Sequence, residues 1–109
     1  MIASERGLKV ARLVDAIEKE MRRLSLWTDE PPAVAAMASR VPFCYDTLKL
    51  WQWLQWILIP RLRLILAEGE SLPGNCDIGP LAEVEFRRLS QDSSRLLELI
   101  RELDRTIGR

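Results

Sequence analysis

An all-α fold is predicted: a small antiparallel four-helix bundle built around a central, apolar, proline-kinked helix. Three observations carry this. Apolar residues recur at steps of three and four in the first and last thirds of the chain. Between them lies one very apolar stretch that holds three of the four tryptophans and an internal proline. No segment alternates with period two, so no sheet is expected.

Ser4 suits a helix cap, and Val10, Val14, Ile17, Met21 and Leu24 follow as an apolar stripe that Leu13 widens. Asp15 with Lys19 and Glu18 with Arg22 are four apart and predict ion pairs on the wet side. The first helix should end near Ser25. Thr28-Asp29-Glu30-Pro31-Pro32 reads as a turn, and the alanine-rich Pro32 to Ser39 as about two turns of helix. Val41-Pro42-Phe43 should be extended, because the residue before proline avoids the helical region.

Asp46 or Thr47 is expected to cap the second long helix. Pro60 within it leaves the Trp56 carbonyl without its usual donor, which predicts a kink. A loop is expected from Glu68 to Asn75. Gly79-Pro80 then opens a helix reaching about Arg88, with Glu83 near its positive end. Ser90 should cap the last helix, whose Leu96, Ile100, Leu103 and Ile107 form the inner stripe, with Leu97 beside them.

The 109 residues fit one domain, residues 1–109. Sixteen basic and sixteen acidic side chains cancel, so no long-range field attracts nucleic acid, and Arg22-Arg23 and Arg87-Arg88 are interspersed with acids. Nucleic acid is therefore disfavoured as a partner. Thirteen of the basic residues are arginine, a side chain suited to planar pairing with carboxylates. Histidine, the commonest general base and metal ligand, is absent. No phosphate loop, zinc spacing or nucleophile–base set is present, so neither catalytic residues nor a metal or cofactor are expected. Cys44 and Cys76 are read as reduced, mostly buried thiols. The first twelve residues contain Glu5, Arg6 and Lys9 and lack a signal peptide's apolar centre. Lys49, Gln52, Gln55, Pro60, Arg61 and Arg63 interrupt Leu48 to Leu66, which argues against a membrane span. A cytoplasmic protein is expected.

The informative segment is Trp51-Gln52-Trp53-Leu54-Gln55-Trp56-Ile57-Leu58-Ile59-Pro60-Arg61-Leu62. On a straight wheel of about 100° per residue, Arg61 falls inside the apolar arc, while Lys49, Gln52, Trp56 and Arg63 share the opposite face. Arg61 then has two readings, an internal ion pair or an anion-gripping group in a tryptophan-lined pocket. Gln55 is open in the same way, between a core hydrogen bond to a helix end and a ligand contact. Trp56 is expected on the surface, where tryptophan suggests contact with a partner.

Pro42-Phe43-Cys44-Tyr45-Asp46-Thr47, Trp53 to Leu62, and Leu72-Pro73-Gly74 together resemble the YqcC-like family of small bacterial helical proteins, as do Trp27 and Pro80. The resemblance implies a small helical bundle and no established activity. The family is sometimes labelled in connection with a tRNA pseudouridine synthase, an enzyme class that needs a catalytic aspartate in a larger sheet-containing domain. The candidate binding residues are thus Trp27, Asp46, Gln55, Trp56 and Arg61. The expected function is a noncatalytic interaction or accessory protein, engaging a protein partner or a second copy through the tryptophan helix. Alternatives are a small-anion binder and an accessory factor for tRNA modification.

Overall fold

The computed structural model describes residues 4–74 and 76–108. The described residues form helices and loops with no strand. In order these are α1 (Glu5–Arg23), α2 (Val34–Met37), a 3-10 turn (Pro42–Cys44), α3 (Leu50–Trp53), a π turn (Leu54–Leu58), α4 (Ile59–Glu68), α5 (Gly79–Phe86) and α6 (Ser94–Ile107). None is long and apolar enough to cross a membrane.

Helix α1 starts as its sequence predicts: the Gly7 N–H donates to Ser4 Oγ (2.9 Å). Its end is closed by Ser25 in the left-handed region, φ 61°. Leu26 N–H donates to the Met21 carbonyl (2.8 Å) and Ser25 N–H to the Arg22 carbonyl (3.1 Å), a Schellman closure with Leu26 and Met21 both buried. This turn sends Leu26 back into the core and sets Trp27 beside it. Val10, Val14, Ile17, Met21 and Leu24 are all buried, meeting Leu96, Leu99, Ile100, Leu103 and Ile107 of α6. Leu99 rather than Leu97 completes the α6 stripe; Leu97 packs only partly against the core.

Polar contacts fix the pairing of α1 with α6 from end to end. Arg6 donates to the Thr106 carbonyl (2.8 Å) and to that of Ile107, where its charge meets the negative end of α6. Lys9 pairs with Glu102 at 2.7 Å. At the other end Gln91 Nε2 donates to the Leu24 carbonyl (2.6 Å), one of the carbonyls a helix end leaves without an internal donor.

Several local expectations are corrected. Asp15 pairs with Arg63 of α4 rather than with Lys19. Ser90 does not cap α6; Asp92 accepts from Ser94 N–H (3.0 Å) and Oγ instead. Val41 ahead of Pro42 is extended as expected (φ −70°, ψ 139°), but Phe43 and Cys44, at φ 60° and 48°, fold the chain into a tight turn. That turn brings the Phe43 ring edge-on to Trp53, centroids 4.9 Å apart. The loop expected to Asn75 is described as far as Gly74, and Asn75 lies outside the described residues.

The proline is accommodated by a widened turn. Ile59 N–H donates to the Leu54 carbonyl, five residues back. The enlarged turn lies immediately ahead of Pro60, whose ring would otherwise press on the preceding turn. Consequently the buried positions run Leu50, Leu54, Ile59, Leu62, with one step of five. Everything after the π turn is rotated by about one residue, or about 100°, relative to a straight wheel.

Candidate functional site

The π turn decides which side chains meet. Arg61, expected within the apolar arc, is exposed. Among the described residues no carboxylate lies within ion-pair distance of it, which corrects the core ion-pair reading. Arg63 instead swings against α1, its Nη1 2.7 Å from Glu18 and its Nη2 3.1 Å from Asp15. Burial pushes the Glu18 carboxyl up, but the hydrogen bonds and charges of Arg63 and Arg22 outweigh it and leave Glu18 below its usual value. Burial likewise opposes the Arg63 charge, and the two carboxylates more than compensate.

Trp27, Gln55 and Trp56 come together. With Ile59, Pro60 and Arg63 they line a cleft of 340 Å³ between the α1–α2 loop and the π turn. Gln55 is 5% exposed, and both its amide oxygen and its amide nitrogen bond loop backbone. Thr28 N–H donates to Gln55 Oε1 (3.0 Å), and Gln55 Nε2 donates to the Thr28 carbonyl (2.5 Å). Gln55 therefore positions the loop that carries Trp27, its hydrogen bonds going to loop backbone at Thr28 rather than to a helix end. Trp27 is sandwiched further by Arg22, whose guanidinium carbon lies 5.0 Å from the ring centroid. Trp56, expected to be exposed, is half-buried as one wall of the cleft.

Asp46 lies elsewhere. It is exposed, accepts from Ser39 Oγ (2.6 Å), and does not cap the long helix, whose first turn is closed by Lys49 N–H donating to Gln52 Oε1 (2.8 Å). Thr47 Oγ1 is likewise engaged, donating to the Ala36 carbonyl (2.6 Å).

Three polar residues escaped sequence reasoning. Arg63 shares the Trp56 face on the wheel and lines the cleft with it, but its partners Asp15 and Glu18 are more than forty positions away and leave no local signal. Asp104 of α6 accepts from Ile78 N–H (2.9 Å) and Gly79 N–H (2.7 Å), capping α5 from across the fold in the role expected of Glu83. A Cβ at Gly79 would sit 3.0 Å from Asp104 Oδ2, so glycine permits this approach. Glu85 is 4% exposed, and a signal for it existed: Ile78, Ala82, Glu85 and Phe86 are spaced as one helical stripe.

Both cysteines are free; Cys44 is buried and Cys76 half-buried. Burial first, then the hydrogen bond to Asp104 (3.3 Å), pushes the Cys76 thiol up to about 12, far from a nucleophile's range. Among the described residues no three His, Cys, Asp or Glu side chains converge as a metal site.

Residues 9–106 match the model of the DUF446 family, described as tRNA pseudouridine synthase C. An uncharacterized protein of Haemophilus influenzae is 33% identical over 87 residues, 80% of this chain and 82% of that one. The uncharacterized protein YqcC of Escherichia coli is 30% identical over 96 residues, 88% of each chain. The solution NMR structure of the latter superposes with a TM-score of 0.81 at 27% identity, covering 96% of this chain and 90% of that one. A Pectobacterium carotovorum protein named tRNA pseudouridine synthase C is 39% identical over 57 residues, 52% of this chain but only 15% of its own length. With nearly its whole length matched, the chain belongs to the DUF446 family of YqcC-like proteins.

Proposed function

We propose that this protein is a noncatalytic, cytoplasmic interaction protein, a single antiparallel four-helix bundle whose Trp27–Trp56 cleft receives a segment of a partner polypeptide. The observation that carries this is the pairing of two half-buried tryptophans beside Pro60 on a fixed frame. Gln55 pins one wall, and the Arg63 pairs with Asp15 and Glu18 tie the other to α1. Large, rigid aromatic surface at a preorganised site is what partner recognition uses most effectively. The same hydrogen bonds weigh against a small anion as occupant. Gln55 Oε1 and Nε2 both bond the Thr28 backbone and the Arg63 charge is already compensated by Asp15 and Glu18, so the cleft offers an anion no uncompensated positive charge.

The Pectobacterium protein favours one class of partner. There, a segment similar to this chain accounts for 15% of a longer polypeptide named for tRNA pseudouridine formation. Similar modules that are joined in one chain commonly meet as separate chains, so we infer an accessory role beside an enzyme that modifies tRNA. Isothermal titration of the purified protein against the tRNA pseudouridine synthase C of its own organism tests both statements. Binding that weakens at least about tenfold on Trp56→Ala is expected, as for an interface anchor. Absence of binding, together with unchanged pseudouridine in the tRNA of a deletion strain, would overturn the accessory role. Sedimentation showing a dimer that Trp56→Ala dissolves would reassign the cleft to self-association.

A further inference from the structure

The loop before α3 and one face of α5 enclose a second cavity, of 310 Å³, that shares no lining residue with the tryptophan cleft. Glu85 forms part of its wall. The side chain is 5% exposed, and its Oε1 is buried with no hydrogen-bond partner. The nearest cation, Arg88 Nη1, is 3.9 Å from Oε2, beyond hydrogen-bond distance, on a side chain that is itself 63% exposed. A carboxyl group withdrawn from water without a donor is costly, and native proteins retain such groups where something else completes them.

The other walls indicate what that would be. Asp46 adds a second carboxyl, Lys49 and Arg88 supply two cations, and Tyr45, 52% exposed, offers an aromatic face. The lining is therefore charge-balanced, with acids and bases both present. A simple anion would be opposed by Asp46 and Glu85, and a simple cation by Lys49 and Arg88. We propose that this cavity binds a small zwitterion, its ammonium group on Glu85 and its carboxylate on Arg88 and Lys49. The terminal torsion of a glutamate is soft, so either Glu85 oxygen can turn to the cavity without moving the helix. The ammonium would donate to the Glu85 oxygen that faces the cavity and bring a countercharge to a carboxylate that accepts no hydrogen bond, and its methylene groups would lie against the Tyr45 ring. At 310 Å³ the space sits at the lower end of ligand-pocket sizes, which suits a molecule of amino-acid dimensions.

The experiment is an amide chemical-shift titration of the full chain with three matched probes: 4-aminobutyrate, n-butylamine and butyrate. Saturable shifts at residues 45–52 and 85–88 are expected with 4-aminobutyrate, with Kd about 1 mM for so small a ligand. Butylamine should bind at least about tenfold more weakly and butyrate not at all, since each lacks one of the two charge-assisted contacts. Glu85→Gln should abolish binding, and Arg88→Ala should remove the preference for 4-aminobutyrate over butylamine. Trp56→Ala, at the other cleft, should leave the titration unchanged. Equal binding of butyrate and 4-aminobutyrate, no saturable shift with any probe, or full affinity in Glu85→Gln would overturn the proposal. Should Glu85→Gln fail to fold, undiminished affinity in both Arg88→Ala and Lys49→Ala, at exposed positions, would do so equally.

Discussion

Replacing Gln55 with glutamate exchanges the amide NH2 at the heart of the cleft for an oxygen and leaves the side chain's shape intact. The wild-type amide both accepts from Thr28 N–H at 3.0 Å and donates to the Thr28 carbonyl at 2.5 Å. An ionised carboxylate keeps the first contact but turns the second into two facing acceptors, at a position only 5% exposed. The lost hydrogen bond contributes about 1 kcal/mol, and stranding a buried charge against a carbonyl adds about 2 kcal/mol more. A destabilisation of about 3 kcal/mol is expected at neutral pH for Gln55→Glu. A protonated carboxyl, by contrast, donates and accepts as the amide does. Its folded-state pKa is therefore raised, from about 4.3 unfolded to about 6.5 when about 1.4 kcal/mol is assigned to each unit. With the pKa raised on folding, the variant should match wild type below the unfolded value. It should lose about 1.4 kcal/mol per pH unit between the two values, then level off above the folded one. Urea unfolding followed by circular dichroism, variant minus wild type, at intervals from about pH 4 to pH 8 reads this directly. Gln55→Leu is the control and should show a loss of about 2 kcal/mol at every pH. A Gln55→Glu variant as stable as wild type at neutral pH, or equally weakened throughout, would refute the role given to Thr28.

Three further outcomes follow from contacts elsewhere. Ser25→Gly should stabilise by about 0.5–1 kcal/mol in urea unfolding, because glycine adopts φ 61° without steric cost and the Schellman bonds are kept. Asp104→Asn should destabilise by about 2–3 kcal/mol, since an amide cannot accept from both Ile78 and Gly79 N–H and brings no charge to the start of α5. Hydrogen bonds from Lys9 and then Arg105 hold the Glu102 carboxyl at about 2, below its ordinary 4.5. A depressed carboxyl favours the fold above its unfolded pKa and loses that effect as pH falls toward the folded value. Lys9→Met should move the Glu102 titration upward in carboxyl-detected NMR and bring acid unfolding on at higher pH.

The long periodic elements were legible because burial repeats at the helical period. Val10 to Leu24 and Leu96 to Ile107 show this, and the cap at Ser4 was equally local. Three members of the candidate cleft, Trp27, Gln55 and Trp56, were selected from sequence and lie together. Arg61 was misplaced because of the helix around Pro60. Pro60 announced a disturbance in the helix, but a straight wheel cannot say whether the chain answers by bending or by adding a residue to one turn. It added one, and the inner line skipped from Leu54 to Ile59. Asp46 was misread for a different reason: the chain at Phe43 and Cys44 takes left-handed conformations that bulky side chains rarely adopt, and these move the start of the long helix to Leu50.

What the sequence determined by itself is the class and the core. Spacings of three and four residues choose a helix and its inner face from neighbours within one turn, and all-helical structure follows. What only the tertiary structure decided is which polar groups meet. Asp104 reaching Ile78 and Gly79, Gln55 reaching Thr28, and Arg63 reaching Asp15 and Glu18 all join residues 25 or more positions apart. Their partners are set by how one element is rotated against another, and for α4 a widened turn before a proline contributes to that rotation. Apolar burial has no direction and tolerates such a shift, whereas a hydrogen bond or ion pair is made or lost by it.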